Sequence, residues 1–269
     1  MNTKPPSRAS RQPSIALMYH ALSDGAHPPG QDPHYTLTRQ AFAWQMDRIV
    51  ESGNAGSARE LLEEKRPNAV VVTFDDGHAS NYRIAFPELT ERGISADFFV
   101  NPATVGTTGF ASWDELREMS DAGMSIQSHG YDHVYLTELG PERLQETLRA
   151  AREEISQRIG RPATLLAPPG GRMPRGLAAV AAVCGYTHVL SSRPGMVAAG
   201  APANRPLSRM AMTAAIDGKT FLRWIGRDRV AIGREQLRYS GLALAKRLLG
   251  DHRYERVRAR ALGATGGSA

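Results

Sequence analysis

Short apolar runs alternate along the chain with longer segments in which apolar residues recur every three or four positions. The runs SIALMYH (14–20), AVVVTF (69–74), ADFFV (96–100), MSIQS (124–128), TLLA (164–167) and THVLSS (187–192) predict buried strands. The segments between them predict helices with legible ends. Residues 38–53 place Phe42, Met46 and Ile49 on one face and stop at Gly53, and residues 80–93 continue the series. Ser112 and Glu115 form a capping box for a helix that ends at Gly123. Pro141 opens a helix carrying Leu144, Leu148, Ile155 and Ile159, and a last helix covers 175–185. Repeated strand–helix units with apolar strands predict an α/β fold whose mainly parallel sheet is covered by helices. At 269 residues this is one large core, either a barrel or an open doubly wound sheet.

Composition narrows the class. Apolar residues are 41 % and charged residues 22 %, which excludes a disordered or fibrous chain, and no apolar stretch approaches a bilayer span. The single cysteine, Cys184, excludes an internal disulfide and reads as core. Residues 1–13 are polar and proline-rich, a flexible arm without the pattern of an export signal, so the expected location is cytoplasmic. The net charge of +6 is concentrated: residues 217–269 hold 12 Lys/Arg against 5 Asp/Glu, leaving 21 against 22 before them. The body is therefore expected over 14–216, and 217–269 is expected as a basic helical extension with Leu244, Leu248 and Leu249 opposite its arginines. Such an extension either packs on the body or makes peripheral contact with an anionic membrane face or a protein partner. A near-neutral body argues against nucleic acid.

Two clusters carry chemistry. Asp75 and Asp76 stand where the 69–74 strand stops, followed by Gly77, which permits a sharp exit. Adjacent strand residues point opposite ways, so the two acids are suited to different roles. His129 and His133 lie four apart in SHGYDH, again behind an apolar run, a spacing that brings two imidazoles to one metal. If Asp76 joins them, the set is two histidines and a carboxylate with one position open, and Asp75 is left to take a proton from metal-polarised water.

LMYH, VVVTFDDGHASNYRIAFPEL, FFVNP, SWDELREMSDAGMSIQSHGYDH, LLAPPGG and LSRMAM follow one another as in the polysaccharide deacetylases, carbohydrate esterase family 4, which the chain resembles over residues 14–212. The resemblance implies a distorted (β/α)7 barrel that removes acetyl groups from N-acetylated sugars with one divalent ion, zinc first. It implies Asp75 as catalytic base and Asp76, His129 and His133 as metal ligands, with an N-acetylated sugar or glycan as partner. The absence of an export signal turns the expected substrate toward an intermediate made inside the cell, such as a lipid-linked sugar.

The chain departs from the family pattern at three places. Gly130 stands where the second motif carries a hydroxyl residue, and Ala167 stands where the third motif begins with an arginine that contacts the base; Arg172 and Arg209 are the candidates to replace it. For the catalytic acid, LGDH at 249–252 matches the letters of a late family motif but falls in the tail, whereas His20 lies on the proper strand end and is taken as the residue that protonates the leaving amine. His78 and His188 are expected to serve as local hydrogen-bonding groups, and Trp113 and Tyr131 either stack on a sugar ring or pack. Two other readings remain open: hydrolysis of a different amide on the same barrel, and a catalytically weak carbohydrate-binding or scaffold protein.

Overall fold

Val70 to Phe74 is apolar or β-branched at every position and buried on both faces, as a strand covered on each side must be. The computed structural model that shows this describes residues 12–25, 31–66, 68–198 and 200–249, with side chains to residue 242. In chain order the elements are β1 (Ser14–Tyr19), β2 (Ala21–Ser23), β3 (Thr36–Thr38), α1 (Arg39–Glu51), β4 (Ala55–Gly56), α2 (Ala58–Leu62), β5 (Val70–Phe74), α3 (Phe86–Glu91), β6 (Asp97–Val100) and α4 (Trp113–Asp121). They continue with β7 (Ser125–Ser128), α5 (Pro141–Ile159), β8 (Leu165–Leu166), α6 (Leu177–Val183), β9 (His188–Val189), β10 (Met196–Val197), β11 (Met210–Ala211), α7 (Gly218–Ile225) and α8 (Arg229–Leu249). The strand and helix series read from periodicity is present, as is the Ser112–Glu115 capping box.

The main sheet runs β10-β1-β5-β6-β7-β8-β9, parallel from β1 to β9. On its free side β1 is shared: β10 pairs antiparallel at Ser14 and Ile15, and β11 pairs parallel at Leu17 and Met18. The stretch before β11 reaches the far edge of the sheet, where the amide of Ser191 donates to Leu207 O and that of Leu207 donates to Val189 O, both at 2.8 Å. Residues 207–212 thus bridge β9 to β1 and curl the sheet into a ring of seven parallel segments. The distortion of this (β/α)7 barrel lies in its last segments, where β8, β9 and β11 are two residues each and closure rests on Leu207.

The two-residue period of the strands sorts side chains between layers. Ile15, Leu17, Tyr19, Val70, Val72, Phe74, Phe98 and Val100 face the helices and pack with Phe42, Met46 and Ile49 of α1. Ala16, Val71, Phe99, Leu165, Ala167, Leu190 and Leu207 fill the interior with Ala58 and Leu61 of α2, which closes one end of the barrel. By the same parity Thr73 and Asp75 follow Val71 inward, and Asn101 follows Phe99.

The helix expected over 80–93 contains a wide turn at Asn81–Ala85, in which the amide of Phe86 bonds Asn81 O. Pro87 has no N–H and crowds the preceding turn of an α-helix, and a widened turn relieves both problems.

The extension expected from residue 217 packs on the body through α7 and the start of α8. Phe221, Trp224 and Ile225 of α7 and Ala231 and Ile232 of α8 lie in the same apolar cluster as α1, β1 and β5. Arg227 secures this segment by donating from Nε to Pro13 O at 2.6 Å, from Nη1 to Ile225 O at 3.0 Å, and from Nη2 to Asn68 O. The side chains of Leu244, Leu248 and Leu249, the LGDH histidine His252, and the arm before residue 12 lie outside the described residues. Among the described residues no helix is long and apolar enough to cross a membrane.

Candidate active site

Asp75 and Asp76 leave the carboxyl end of β5, where the barrel's loops converge, as sites in such folds do. Their environments differ sharply. Asp75 is buried and meets the fully buried Arg209 in a fork, Nη1 to Oδ1 at 2.6 Å and Nη2 to Oδ2 at 2.8 Å. Arg209 is itself fixed by a bond from Nη1 to Thr73 Oγ1 and one from Nε to Ser191 O, each 3.2 Å, with its guanidinium 5.4 Å from the Phe99 ring centroid. Burial alone pushes the Asp75 carboxyl up, but the charge of Arg209 and then of His129 outweighs it, so the group sits below the ordinary carboxylate value and is ionised.

Asp76 turns the other way. Its φ of +75° and that of Gly77, also +75°, put two consecutive residues in the left-handed region. A Cβ on Gly77 would meet Val100 Cγ1 at 3.0 Å, so the turn requires glycine there for both backbone and space. The turn aims Asp76 Oδ1 at His129 Nε2 and His133 Nε2, each 3.2 Å away. These three donor atoms lie within 4.8 Å of one another. Burial works to raise the Asp76 carboxyl, and hydrogen bonds from His129, His133 and His78 hold it well below the usual range instead. His133 moves in the opposite sense: its bond to Asp76 raises it above an ordinary histidine.

The loop carrying the two histidines is set without a hydroxyl after His129. Gly130 adopts φ +81°, and its amide donates to Ser128 Oγ at 3.3 Å. Asn101, inward-facing and buried at the end of β6, donates from Nδ2 to His129 O at 2.5 Å, and the amide of Ala103 donates to Tyr131 O. His133 ends the turn at φ +62°. Non-glycine residues with positive φ are uncommon and gather at functional sites, and two of the three candidate ligands have it.

The donor set fits a divalent cation on its own chemistry. Two imidazoles and a carboxylate at this spacing match an open catalytic zinc-type site, and the positive edges of both rings already surround one anionic oxygen.

His20 follows β1 on the same rim. Its ring lies 4.6 Å from that of Tyr35, and its carbonyl accepts a bond from Asn81 Nδ2 at 2.7 Å. Burial lowers its imidazole, the carboxylates of Asp76 and Asp75 pull upward, and His129 and Arg209 add to the lowering; the result is below the histidine norm. Its Nδ1 is buried and makes no hydrogen bond within the protein.

Asp75, Asp76, His129, His133, His20 and Arg209 thus converge at one end of the barrel. Of the two arginine candidates, Arg209 reaches Asp75; Arg172 lies 3.9 Å over the ring of Tyr135. Trp113 packs on the core beneath Arg158, and the Tyr131 hydroxyl bonds Glu154. His188 contacts Ala201 O, and Cys184 is buried, as read from the sequence. His78 is a local partner as well, its Nε2 lying 3.4 Å from Asp76 Oδ2. The sequence did not name Asp76 as its partner, nor point to Asn101. For His78 the signal was its place two residues after Asp76 in a turn opened by glycine.

Residues 63–189 match the family model described as polysaccharide deacetylase. The chain is 26 % identical over 186 residues to YxkH of Bacillus subtilis (strain 168), named a candidate polysaccharide deacetylase, covering 66 % of this chain and 64 % of that protein. It is also 26 % identical over 132 residues to the peptidoglycan-N-acetylmuramic acid deacetylase PdaA of the same organism, covering 47 % of this chain and 46 % of the relative. The chain therefore spans less than two thirds of the length of either relative. The Streptococcus pyogenes deacetylase PplD, solved with acetate, shares the fold with a TM-score of 0.71 at 20 % identity, over 80 % of this chain and 99 % of that one. With the barrel, the paired acids and the histidine loop already in place, the match over residues 63–189 places that part of the chain in the polysaccharide deacetylase family, and the solved deacetylase shares its fold.

Proposed function

We propose that the chain is a metal-dependent hydrolase that removes the N-acetyl group from an amino sugar of a glycan or a lipid-linked sugar intermediate. One observation carries the reading: neighbouring carboxylates are held in opposite roles, Asp76 among imidazoles and Asp75 in a buried fork with Arg209. Asp76, His129 and His133 would hold the cation, zinc being the first choice for this donor set. A divalent ion there supplies Lewis acidity, which makes water easier to deprotonate and stabilises negative charge on an amide oxygen.

The chain's own residues do the rest. Asp75 accepts a proton from the attacking water, and Arg209 keeps it ionised and fixes its orientation. The hydroxyl adds to the acetyl carbon, the C–N bond breaks, and the nitrogen leaves with a proton supplied from the imidazole of His20. Because burial disfavours its charged form, that imidazole acts as a relay, taking the proton that Asp75 has gained from water and passing it to the nitrogen. Acetate and a free amine are the products, the acid proton goes to solvent, and Asp75 is ionised again.

The two departures that favoured a catalytically weak scaffold have substitutes in this geometry: Asn101 braces the loop at Gly130, and Arg209 takes the base-supporting place left by Ala167. The relative that acts on N-acetylmuramic acid in peptidoglycan supports an N-acetylated envelope sugar as the substrate class. The test is acetate release from a panel of N-acetylated oligosaccharides and lipid-linked amino sugars, using metal-loaded and chelator-treated protein with Asp75→Asn as control. Release that depends on both metal and Asp75 supports the reading. A metal-loaded wild type that releases acetate from none of the panel refutes it.

A further inference from the structure

Asp76 has two oxygens, and only one faces the paired histidines. The other, Oδ2, lies 3.4 Å from Nε2 of His78. His78 is not a member of the metal-type donor cluster; it lies against the carboxylate oxygen that the paired histidines do not contact. Its ring is held on its own account. His78 forms an antiparallel bridge with Phe110, and the two rings stack at 5.3 Å with planes 17° apart. The backbone on either side is pinned as well, since Ala111 donates to Gly77 O at 3.0 Å and Ala79 donates to Gly109 O at 2.9 Å. With only 12 % of its side chain exposed, the imidazole is confined between Phe110 and the carboxylate.

We infer that His78 is the positioning residue for Asp76: its Nε2–H holds Oδ2, so that the carboxylate presents Oδ1 alone to the cation. The inference rests on the metal-site reading above and adds a residue to it. A carboxylate free to rotate about its Cβ–Cγ bond can offer one oxygen or two, and a fixed donor on Oδ2 selects one. Partners of this kind, which orient a ligand without touching the ion, typically change metal affinity by about 10- to 100-fold when removed. The left-handed backbone at Asp76 makes the need concrete, because a strained turn fixes the Cα–Cβ direction but leaves the carboxylate plane unset.

The experiment is a titration of the full chain, stripped of metal, with Co2+ read in its visible absorption and with Zn2+ against a chromophoric chelator. Two variants separate the N–H from the ring: His78→Phe keeps a ring to stack on Phe110 but has no donor, and His78→Gln keeps a donor without the ring. The expected result is that His78→Phe binds about 10- to 100-fold more weakly and shifts the Co2+ spectrum, while its apo melting temperature stays at the wild-type value. His78→Gln is expected to keep most of the affinity. Wild-type affinity and spectrum in His78→Phe would overturn the inference while leaving the metal site intact. If His78→Phe also melts early, His78→Gln decides: retained affinity supports the N–H role and lost affinity overturns it. A wild type that binds neither ion refutes the underlying metal reading, and Asp76→Asn, expected to abolish binding, separates the two failures.

Discussion

Arg209→Met is the substitution that bears most directly on how the two acids are kept distinct. Arg209 is fully buried, and its partner Asp75 is 2 % exposed. The substitution removes both arms of the fork, at 2.6 and 2.8 Å, and the bonds to Thr73 and Ser191, leaving an acid inside the barrel without its counter-charge. Breaking a buried pair from one side costs about 3–5 kcal/mol. For a domain of this size that is a drop in melting temperature of roughly 6–20 °C. With the arginine gone, burial becomes the dominant influence on Asp75, so its carboxyl rises and the acid limb of the activity profile moves to higher pH. Removing both charges avoids a stranded ion: Asp75→Asn/Arg209→Met should melt well above the level obtained by adding the losses of the single variants. A coupling of about 2 kcal/mol or more is expected for such a pair. The assay is a thermal and urea double-mutant cycle on chelator-treated full chain, alongside kcat/KM against pH for Arg209→Met. Single variants that are each within about 1 kcal/mol of wild type, or a cycle without coupling, would sink the reasoning.

Asp97 lies at 0 % exposure with its Oδ2 accepting from Ala58 N at 2.6 Å, and burial pushes its carboxyl up to about 6. A folded value above the ordinary 3.8 means the native state binds the extra proton: stability is greatest below about 4, falls as pH rises toward 6, and the accumulated loss is on the order of 3 kcal/mol. Asp97→Asn should therefore stabilise the chain at pH 7.5 and much less at pH 4.5 in urea melts; a gain equal at both would contradict this. Asn101→Ala removes the donor to His129 O and should cost about 1–3 kcal/mol as well as weakening Co2+ binding, whereas Asn101→Asp loses the N–H and should do the same. Ending the chain at Leu242 keeps Phe221, Trp224 and Ile232, so it should fold as the full chain does, and co-sedimentation with anionic vesicles should fall if the basic tail makes that contact. Unchanged sedimentation would remove the tail from the account.

What could be read from the sequence was local. The spacing of Phe42, Met46 and Ile49, the cap at Ser112 and the alternation through Val71, Thr73 and Asp75 each express geometry within a few residues, and each appears in the fold. Different roles for Asp75 and Asp76 were read from the same alternation, but it is the left-handed turn at Asp76 and Gly77 that sets them apart. Arg209 meets Asp75 across 134 positions, and nothing in the intervening chain marks that meeting, so it could only be one of two candidates. The closing strands were hidden for another reason: two-residue segments such as Met196–Val197 and Met210–Ala211 have no period to detect. The basic count after residue 217 suggested an appendage, yet Phe221 and Trp224 lie in the core, because net charge describes a surface and is silent on what the opposite helix face buries.

Leu207 joins the final edge of the ring, and Arg209, two residues on, supplies the charge that Asp75 needs. One short stretch thus serves as both latch and fuse. Until it docks, Asp75 lacks both arms of the fork that orient it and offset its burial. Any perturbation that lifts the seam should therefore silence turnover before the remaining strands come apart.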